Sequence, residues 1–357
     1  MISIPMLSEL RYTLENRYEG RGIVNPLAFP SNLLRSFIGK DDSREREKGV
    51  KTARMTSVRT LLAKYSILPA KRLGQHFLTD KRIMMAIVRT AEVNSEETVV
   101  EVGPGLGEMT KLLASKAKRV IAIEVDESMV AMLRDRLADY ENIVLLRGDA
   151  LKFDFLREFR KWGEKLKVVS NLPYNISTQL LFRLVEMRKA FSGMTLMLQR
   201  EVAERIIATP GGKQYGILSV LLQLHCDTSI RLIVPSSSFY PRPKVESAVV
   251  RFDFLQKPRV EIENEPIFRK VVKASFGHRR KTLKNALKTA AFFSVKGEEI
   301  EAHLRKAGID PRRRGETLTL QEFAALGEVL SHGMASRDDF AEGNFGGRNP
   351  SRRGIER

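Results

Sequence analysis

The sequence has 357 residues, and 61 Lys+Arg against 43 Asp+Glu give it a formal net charge of +18, a balance that points to a polyanionic partner, nucleic acid first. Its single cysteine, Cys226, excludes an intrachain disulfide, a thiolate-rich zinc site and an iron–sulfur cluster. No apolar run approaches the roughly 20 residues that span a bilayer, and the length suits one large domain plus a smaller one.

Residues 1–54 mix Pro, Gly and Asn with a dense charge cluster (Lys40, Asp41, Asp42, Arg44, Glu45, Arg46, Glu47, Lys48) and show no sustained apolar period, so we expect a poorly ordered extension. Its acids, among them Glu9, Glu15 and Glu19, argue against a transit peptide. Met55 opens a patterned region. Lys71 to Leu78 leads to Asp80, a helix N-cap by type, followed by Ile83, Met84, Ile87 and Val88 at helical spacing.

Thr98 to Val102 reads as a buried strand that runs into Gly103-Pro104-Gly105-Leu106-Gly107-Glu108, and a helix carrying Met109, Leu112 and Leu113 follows. Strand, glycine turn and helix form a nucleotide-type site, because glycine lets the backbone approach a ligand. The glycines are spaced Gly-x-Gly-x-Gly, and Glu108 at the helix start disfavours a pyrophosphate. The next strand, Arg119 to Ile123, ends at Glu124, where a carboxylate can accept both ribose hydroxyls. Ile143 to Leu146 reaches Asp149, placed to accept from an adenine amino group or to close a turn. A ligand with ribose and adenine but no phosphate is favoured, and S-adenosylmethionine (SAM), which carries an amino acid and a sulfonium instead, is such a ligand.

Val168 and Val169 then run into Ser170-Asn171-Leu172-Pro173-Tyr174-Asn175-Ile176-Ser177-Thr178, a strand tip at the rim of the ligand crevice. Asn171 offers a side-chain carbonyl, Pro173 stiffens the loop so that main-chain carbonyls can point outward, and Tyr174 offers a face for a base. These residue types suit group transfer to an exocyclic amine, although an ordinary strand-to-helix loop has the same look. Met194 to Leu198 is a fifth strand, and Ile230 to Val234 with Ala248 to Phe252 close a sheet of about seven. Thr209 to Gly216 is expected to be a flexible loop beside the site, and Cys226, in the run Leu221, Leu222, Leu224, to be core.

Past residue 255 the pattern is helical, with Ile267, Val271, Val272 and Phe276 on one face. A second helix is expected to carry Arg279, Arg280, Lys281, Lys284 and Lys288, and Arg312, Arg313 and Arg314 add a loop cluster. On a chain this basic we assign Arg279, Arg280, Lys281 and Lys284 to RNA phosphates. From Gly333 the chain is rich in Gly, Asn, Ser and Arg, so residues 333–357 are expected to be a disordered basic tail.

Taken together, Leu73-Gly74-Gln75-His76-Phe77-Leu78, Glu101 to Gly107, Ile123 to Asp126, Gly148-Asp149-Ala150, Asn171 to Thr178, Phe239 to Val250 and Phe276 to Asn285 resemble the ordered motifs of the rRNA adenine N6,N6-dimethyltransferases, nearest to their small-subunit branch. The resemblance covers about Met55 to Leu330. It implies a Rossmann-like α/β methyltransferase domain over 55–255 and a small all-helical, rRNA-binding domain over 256–332. It further implies SAM contacts at His76, Leu78, Gly103, Glu124, Asp149 and Asn171, to which the glycine turn adds Gly105. Many members carry Asn where this chain has His76, which puts a side-chain role for that position in question. The expected activity is dimethylation of two adjacent adenines near the 3′ end of small-subunit rRNA. Asn171, the main chain at Leu172 or Pro173, and Tyr174 would carry it, with no metal, in a cytoplasmic monomer acting on the small ribosomal subunit. A large-subunit methyltransferase of the macrolide-resistance type and a non-catalytic RNA-binding assembly or transcription factor are the alternatives.

Overall fold

The computed structural model describes residues 58–290 and 297–342, and the chain divides into two compact units, Met1–Ser66 and Ile67–Arg357. In the first unit the described residues form helix α1 (Val58–Lys64), with Leu61 and Leu62 buried. Met55 and the extension assigned to residues 1–54 lie outside the described residues.

The second unit is built on a seven-stranded sheet, whose strands are β2 (Thr98–Val102), β3 (Arg119–Glu124), β4 (Ile143–Arg147), β5 (Leu166–Asn171), β6 (Phe191–Gln199), β7 (Cys226–Val234) and β9 (Ser247–Phe254). Their order across the sheet is β4-β3-β2-β5-β6-β9-β7. The first five are mutually parallel, and β9 runs antiparallel between β6 and β7. Central parallel strands are covered on both faces, which is why β2 is buried along its whole length and reads as an apolar run. Helices α2 (Lys81–Thr90), α3 (Glu108–Ala114), α4 (Glu127–Arg136), α5 (Phe155–Trp162) and α6 (Ser177–Glu186) pack on the sheet. Asp80, Asp126 and Asp154 cap α2, α4 and α5 by accepting first-turn amides. Cys226 is a buried core thiol, pushed up to about 12 by burial.

A second, two-stranded sheet pairs β1 (Phe77–Leu78) antiparallel with β8 (Phe239–Tyr240). The Thr79 amide and hydroxyl both donate to the Ser238 carbonyl, at 2.8 and 2.9 Å. The segment before the first helix of the sheet is thereby stitched to the segment before the last strand.

After β6 come α7 (Arg200–Ile207) and α8 (Ile217–Gln223), and after β9 come α9 (Glu265–Gly277), α10 (Leu283–Lys288), α11 (Gly297–Lys306) and α12 (Leu320–Glu342). Among the described residues the helical region shares its core with the α8 segment. Phe268, Val271, Phe276, Leu304 and Phe323 share one cluster with Tyr215, Val220, Leu221 and Leu224 from the α8 segment. Residue 255 therefore marks a change of architecture inside one compact unit. At its start, α9 is pinned by Glu265, which pairs with Arg188 (3.3 Å), Arg269 (2.9 Å) and the buried His225 (3.3 Å). Burial, helped by Arg188, lowers the His225 pKa to about 4, so this imidazole is neutral near pH 7. Helix α12 continues past the expected boundary at residue 332 as far as Glu342, and the remainder of the expected tail lies outside the described residues.

Candidate active site

The carboxyl ends of β2, β3, β4 and β5 open on one cleft of about 260 Å³. Its lining brings together every residue assigned to the cofactor or to chemistry from the sequence: His76, Leu78, Gly103, Gly105, Glu124, Asp149, Asn171, Leu172, Pro173 and Tyr174. Arg279, Arg280, Lys281 and Lys284 lie outside that lining.

The glycine turn follows from sterics. Gly103 and Gly105 have φ of +68° and +56°, and a Cβ on Gly103 would stand 3.2 Å from the Pro173 ring. Only glycine accepts that backbone so close to a second loop without strain, so the turn and the Asn171–Tyr174 loop pack directly on each other. Glu108 stands at the start of α3 and is ion-paired with Arg136, whose Nε also donates to the Leu106 carbonyl at 2.9 Å. Its charge is thus partly balanced, and its power to repel an anion is smaller than the sequence implies.

Glu124 closes β3. Its Oε1 accepts the amides of Val125 (2.8 Å) and Asp126 (2.9 Å), which fixes the carboxylate and leaves Oε2 available. Burial raises its pKa, opposed by those two amides. Asp149 lines the cleft and closes a turn. Oδ1 accepts the Leu151 amide at 2.9 Å as a turn residue, and the second oxygen remains for a ligand.

In the Asn171 loop, Asn171 Nδ2 donates to the His76 carbonyl at 3.3 Å. A carbonyl can only accept, so this bond fixes which end of the amide is oxygen and leaves that oxygen as an acceptor. The Leu172 amide donates to Met197 (3.2 Å), and the Pro173 carbonyl accepts from Ile176 (3.2 Å). Closing the turn in this way uses one of the two lone pairs of the Pro173 carbonyl. The Tyr174 hydroxyl bonds Ser247 Oγ at 2.5 Å, and its ring lies 5.3 Å from the His76 ring at 33°. His76 keeps its backbone carbonyl on Asn171 and turns Nδ1 to the Pro241 carbonyl at 2.7 Å. Nδ1 must carry the hydrogen there.

Two contributors were not read from the sequence. Gln75 accepts the Ala70 amide (2.8 Å) and reaches Asp126 (3.4 Å), tying the segment before β1 to the tip of β3. Glu101 lines the cleft while only 1% exposed, and its Oε2 has no partner among the described residues. Burial, opposed by the neighbouring Thr110 hydroxyl and helped by a smaller contribution from the Glu124 charge, pushes its carboxyl up to about 8, although the Thr110 hydroxyl does not reach hydrogen-bond geometry. Its signal was present, since one acid interrupts the apolar run Thr98-Val99-Val100-Glu101-Val102.

The basic cluster differs from expectation. Arg279, Arg280 and Lys281 sit in the turn between α9 and α10, because α9 ends at Gly277 and α10 starts at Leu283. Arg279 is exposed but tied to the chain, donating to the Lys213 and Tyr215 carbonyls at 2.7 and 3.3 Å with Glu316 at 3.8 Å, and Lys284 pairs with Glu301. Arg280 and Lys281 are exposed. Thr209 to Gly216, expected beside the site, is instead held by Arg279 and by a Gly211 amide to Glu316 carbonyl bond of 2.7 Å, and none of it lines the cleft. In the arginine loop, Arg312 pairs with Asp310 and Arg313 with Glu322, while Arg314 is exposed.

Residues 69–330 match the family model described as ribosomal RNA adenine dimethylase. The chain belongs to that family. Among its relatives, Ribosomal RNA small subunit methyltransferase A of Clostridium botulinum (strain ATCC 19397 / Type A) is 43% identical over 274 residues, 77% of this chain and 98% of that protein. The protein of the same name from Geobacter metallireducens is 45% identical over 262 residues, 73% and 94% of the two chains. A dimethyladenosine transferase from Plasmodium falciparum superposes with a TM-score of 0.59 at 27% identity, covering 70% of this chain and 96% of its own. The 23S rRNA methyltransferase ErmE shares the fold, with a TM-score of 0.54 at 24% identity over 71% and 99% of the two chains. The resemblance read from the ordered motifs is thus borne out at the level of family and fold.

Proposed function

We propose that the chain transfers methyl groups from SAM to the N6 amines of two adjacent adenosines near the 3′ end of small-subunit rRNA, late in subunit assembly. Its partner is the small ribosomal subunit, and its setting is the cytoplasm, as a monomer. The observation that carries this reading is the Asn171 amide, locked by the His76 carbonyl with its oxygen left to accept. The relatives named small subunit methyltransferase A support the small-subunit substrate over the large-subunit alternative. Among the described residues no helix is long and apolar enough to cross a membrane, and no group of three metal-ligating side chains gathers.

The cleft fits SAM on its own residues. Glu124 Oε2 and the second oxygen of Asp149 are acceptors for ribose hydroxyls and an adenine amine, Gly103 and Gly105 admit close backbone approach, and the orphaned Glu101 oxygen suits an ammonium group. When bound, SAM supplies a methyl carbon activated by its sulfonium charge. The protein supplies orientation and electrostatics. Asn171 Oδ1 and the main-chain carbonyl of Leu172 or Pro173 accept the two amine hydrogens of a flipped adenine and draw the nitrogen lone pair out of ring conjugation. Tyr174 stacks on the base. Held in this way the amine needs no strong general base, because the nitrogen becomes acidic once it is methylated and can release its proton to water.

Mass spectrometry of rRNA after incubation with labelled SAM tests the proposal. Methylated adjacent adenines in immature small subunits are expected, and modification confined to naked large-subunit rRNA would favour the alternative. At the cofactor end, Glu124→Gln is expected to weaken SAM binding by about 1–3 kcal/mol, the difference between charged and neutral acceptors over two hydroxyls. Unchanged affinity by calorimetry would remove Glu124 from the cofactor site.

RNA docking is assigned to the exposed turn. Arg280→Ala with Lys281→Ala should weaken rRNA binding and lower its log–log salt slope by about 0.9 for each phosphate no longer neutralised, while leaving SAM affinity unchanged. Arg279 and Lys284 are set apart because their partners are internal. A salt slope equal to that of the unaltered protein would take the turn out of the RNA interface.

A further inference from the structure

The segment from β8 to the start of β9 grips the candidate site at three points. It pairs β8 with β1, it accepts the His76 Nδ1 hydrogen on the Pro241 carbonyl (2.7 Å), and it meets the Tyr174 hydroxyl with Ser247 Oγ (2.5 Å). Ser247 is fully buried as the first residue of β9, where it is in register with Gln199 of β6 and Val234 of β7. It therefore cannot follow a moving ring. Tyr174 by contrast stands in a loop between β5 and α6, half-buried, with its ring against His76. A loop side chain bonded to a sheet-held hydroxyl takes its orientation from the sheet.

We infer that Ser247 is a positioning residue for methyl transfer: its hydroxyl, anchored in the sheet, sets the angle of the Tyr174 ring, and the Pro241 carbonyl does the same for His76. The target base then meets a wall of two fixed rings. This rests on the reading of Tyr174 as the stacking platform. The Tyr174 hydroxyl has no other role in it. Its side chain contributes a face to the base and an edge to Ser247, so removing the hydroxyl leaves the face in place but frees its angle. A tilt of the ring displaces the base relative to the Asn171 oxygen, and misplacement at that scale is felt in turnover more than in binding.

The test is a double-mutant cycle on the full chain with small-subunit particles, following methyl transfer, SAM affinity and thermal unfolding. Tyr174→Phe and Ser247→Ala are each expected to lower kcat about tenfold, the order of one hydrogen bond, with KM for the particle and Kd for SAM within twofold of the unaltered protein. The double variant should lose the same tenfold and no more, because both changes delete one bond. Ser247→Thr, which keeps a hydroxyl on Cβ, should restore most of the rate. Singles at the normal rate, or losses that multiply in the double variant, would overturn the assignment. If Ser247→Ala does not fold, Tyr174→Phe deletes the same bond from the exposed side and decides alone. Tyr174→Ala probes the underlying reading separately. A loss of at least a hundredfold there, with Tyr174→Phe unaffected, keeps the stacking platform and rejects Ser247, whereas a normal rate in Tyr174→Ala rejects the platform itself.

Discussion

Asn171→Ala is expected to lower turnover by about two to three orders of magnitude, the cost of removing one preorganised partner from a transition state. The side chain acts from a fixed position, because its Nδ2 is spent on the His76 carbonyl and only its oxygen is left to accept an amine hydrogen. Affinity for the small-subunit particle, set mainly by phosphate contacts at a distance, should change little. Single-turnover transfer of labelled methyl groups measures the first quantity and filter binding the second. Because the same side chain tethers His76, thermal unfolding is followed in parallel. A normal transfer rate in a folded Asn171→Ala protein would mean that the amine is held by other groups, and the chemistry would have to be reassigned.

The strand ends that build this cleft were legible in the sequence for a physical reason. A strand covered on both faces reads as an apolar run, so the glycine after Val102, the acid after Ile123 and the Asn after Ser170 stand out as its ends. The cross-links behind the site were not legible. β1 and β8 have two residues each, too few to show a period, and His76 and Pro241 meet although 165 positions apart. Ser247 gives no local sign that its hydroxyl will find Tyr174. The basic turn shows the same limit from the other side, since a run of Arg and Lys says nothing about which guanidinium is tied to the chain's own carbonyls, as Arg279 is to those of Lys213 and Tyr215. The helical region also looked more separate than it is. An apolar run at Leu221, Leu222 and Leu224 does not reveal that Leu221 and Leu224 face the later helices while Leu222 faces the sheet.

Glu101 makes the second large effect, and it is one of pH. Its carboxyl is buried, pushed up to about 8, and carries one oxygen with no partner among the described residues. In the unfolded chain the same group has its ordinary value of 4.5. The folded state therefore holds a proton that the unfolded state has released, and stability falls as pH rises. The contribution is fully present below 4.5 and is lost by about pH 8. The buried His225, lowered to about 4 from its ordinary 6.5, works the other way up to pH 6.5, so the melting temperature of the free protein should decline chiefly from about pH 6.5 to pH 8. Glu124 is raised by burial as well and tilts the curve in the same direction, so the comparison is made against Glu101→Gln, which keeps the shape and removes the titration. The flatter curve is expected in that variant. Binding gives a second readout. A cation placed beside the orphaned oxygen favours the ionised form, so SAM should expel a proton at pH 7 and bind more tightly as pH rises toward 8. Calorimetry in two buffers of different ionisation enthalpy counts that proton. Equal release from Glu101→Gln and the unaltered protein would show that the ammonium is met elsewhere, and that the acid buried in β2 serves the sheet alone.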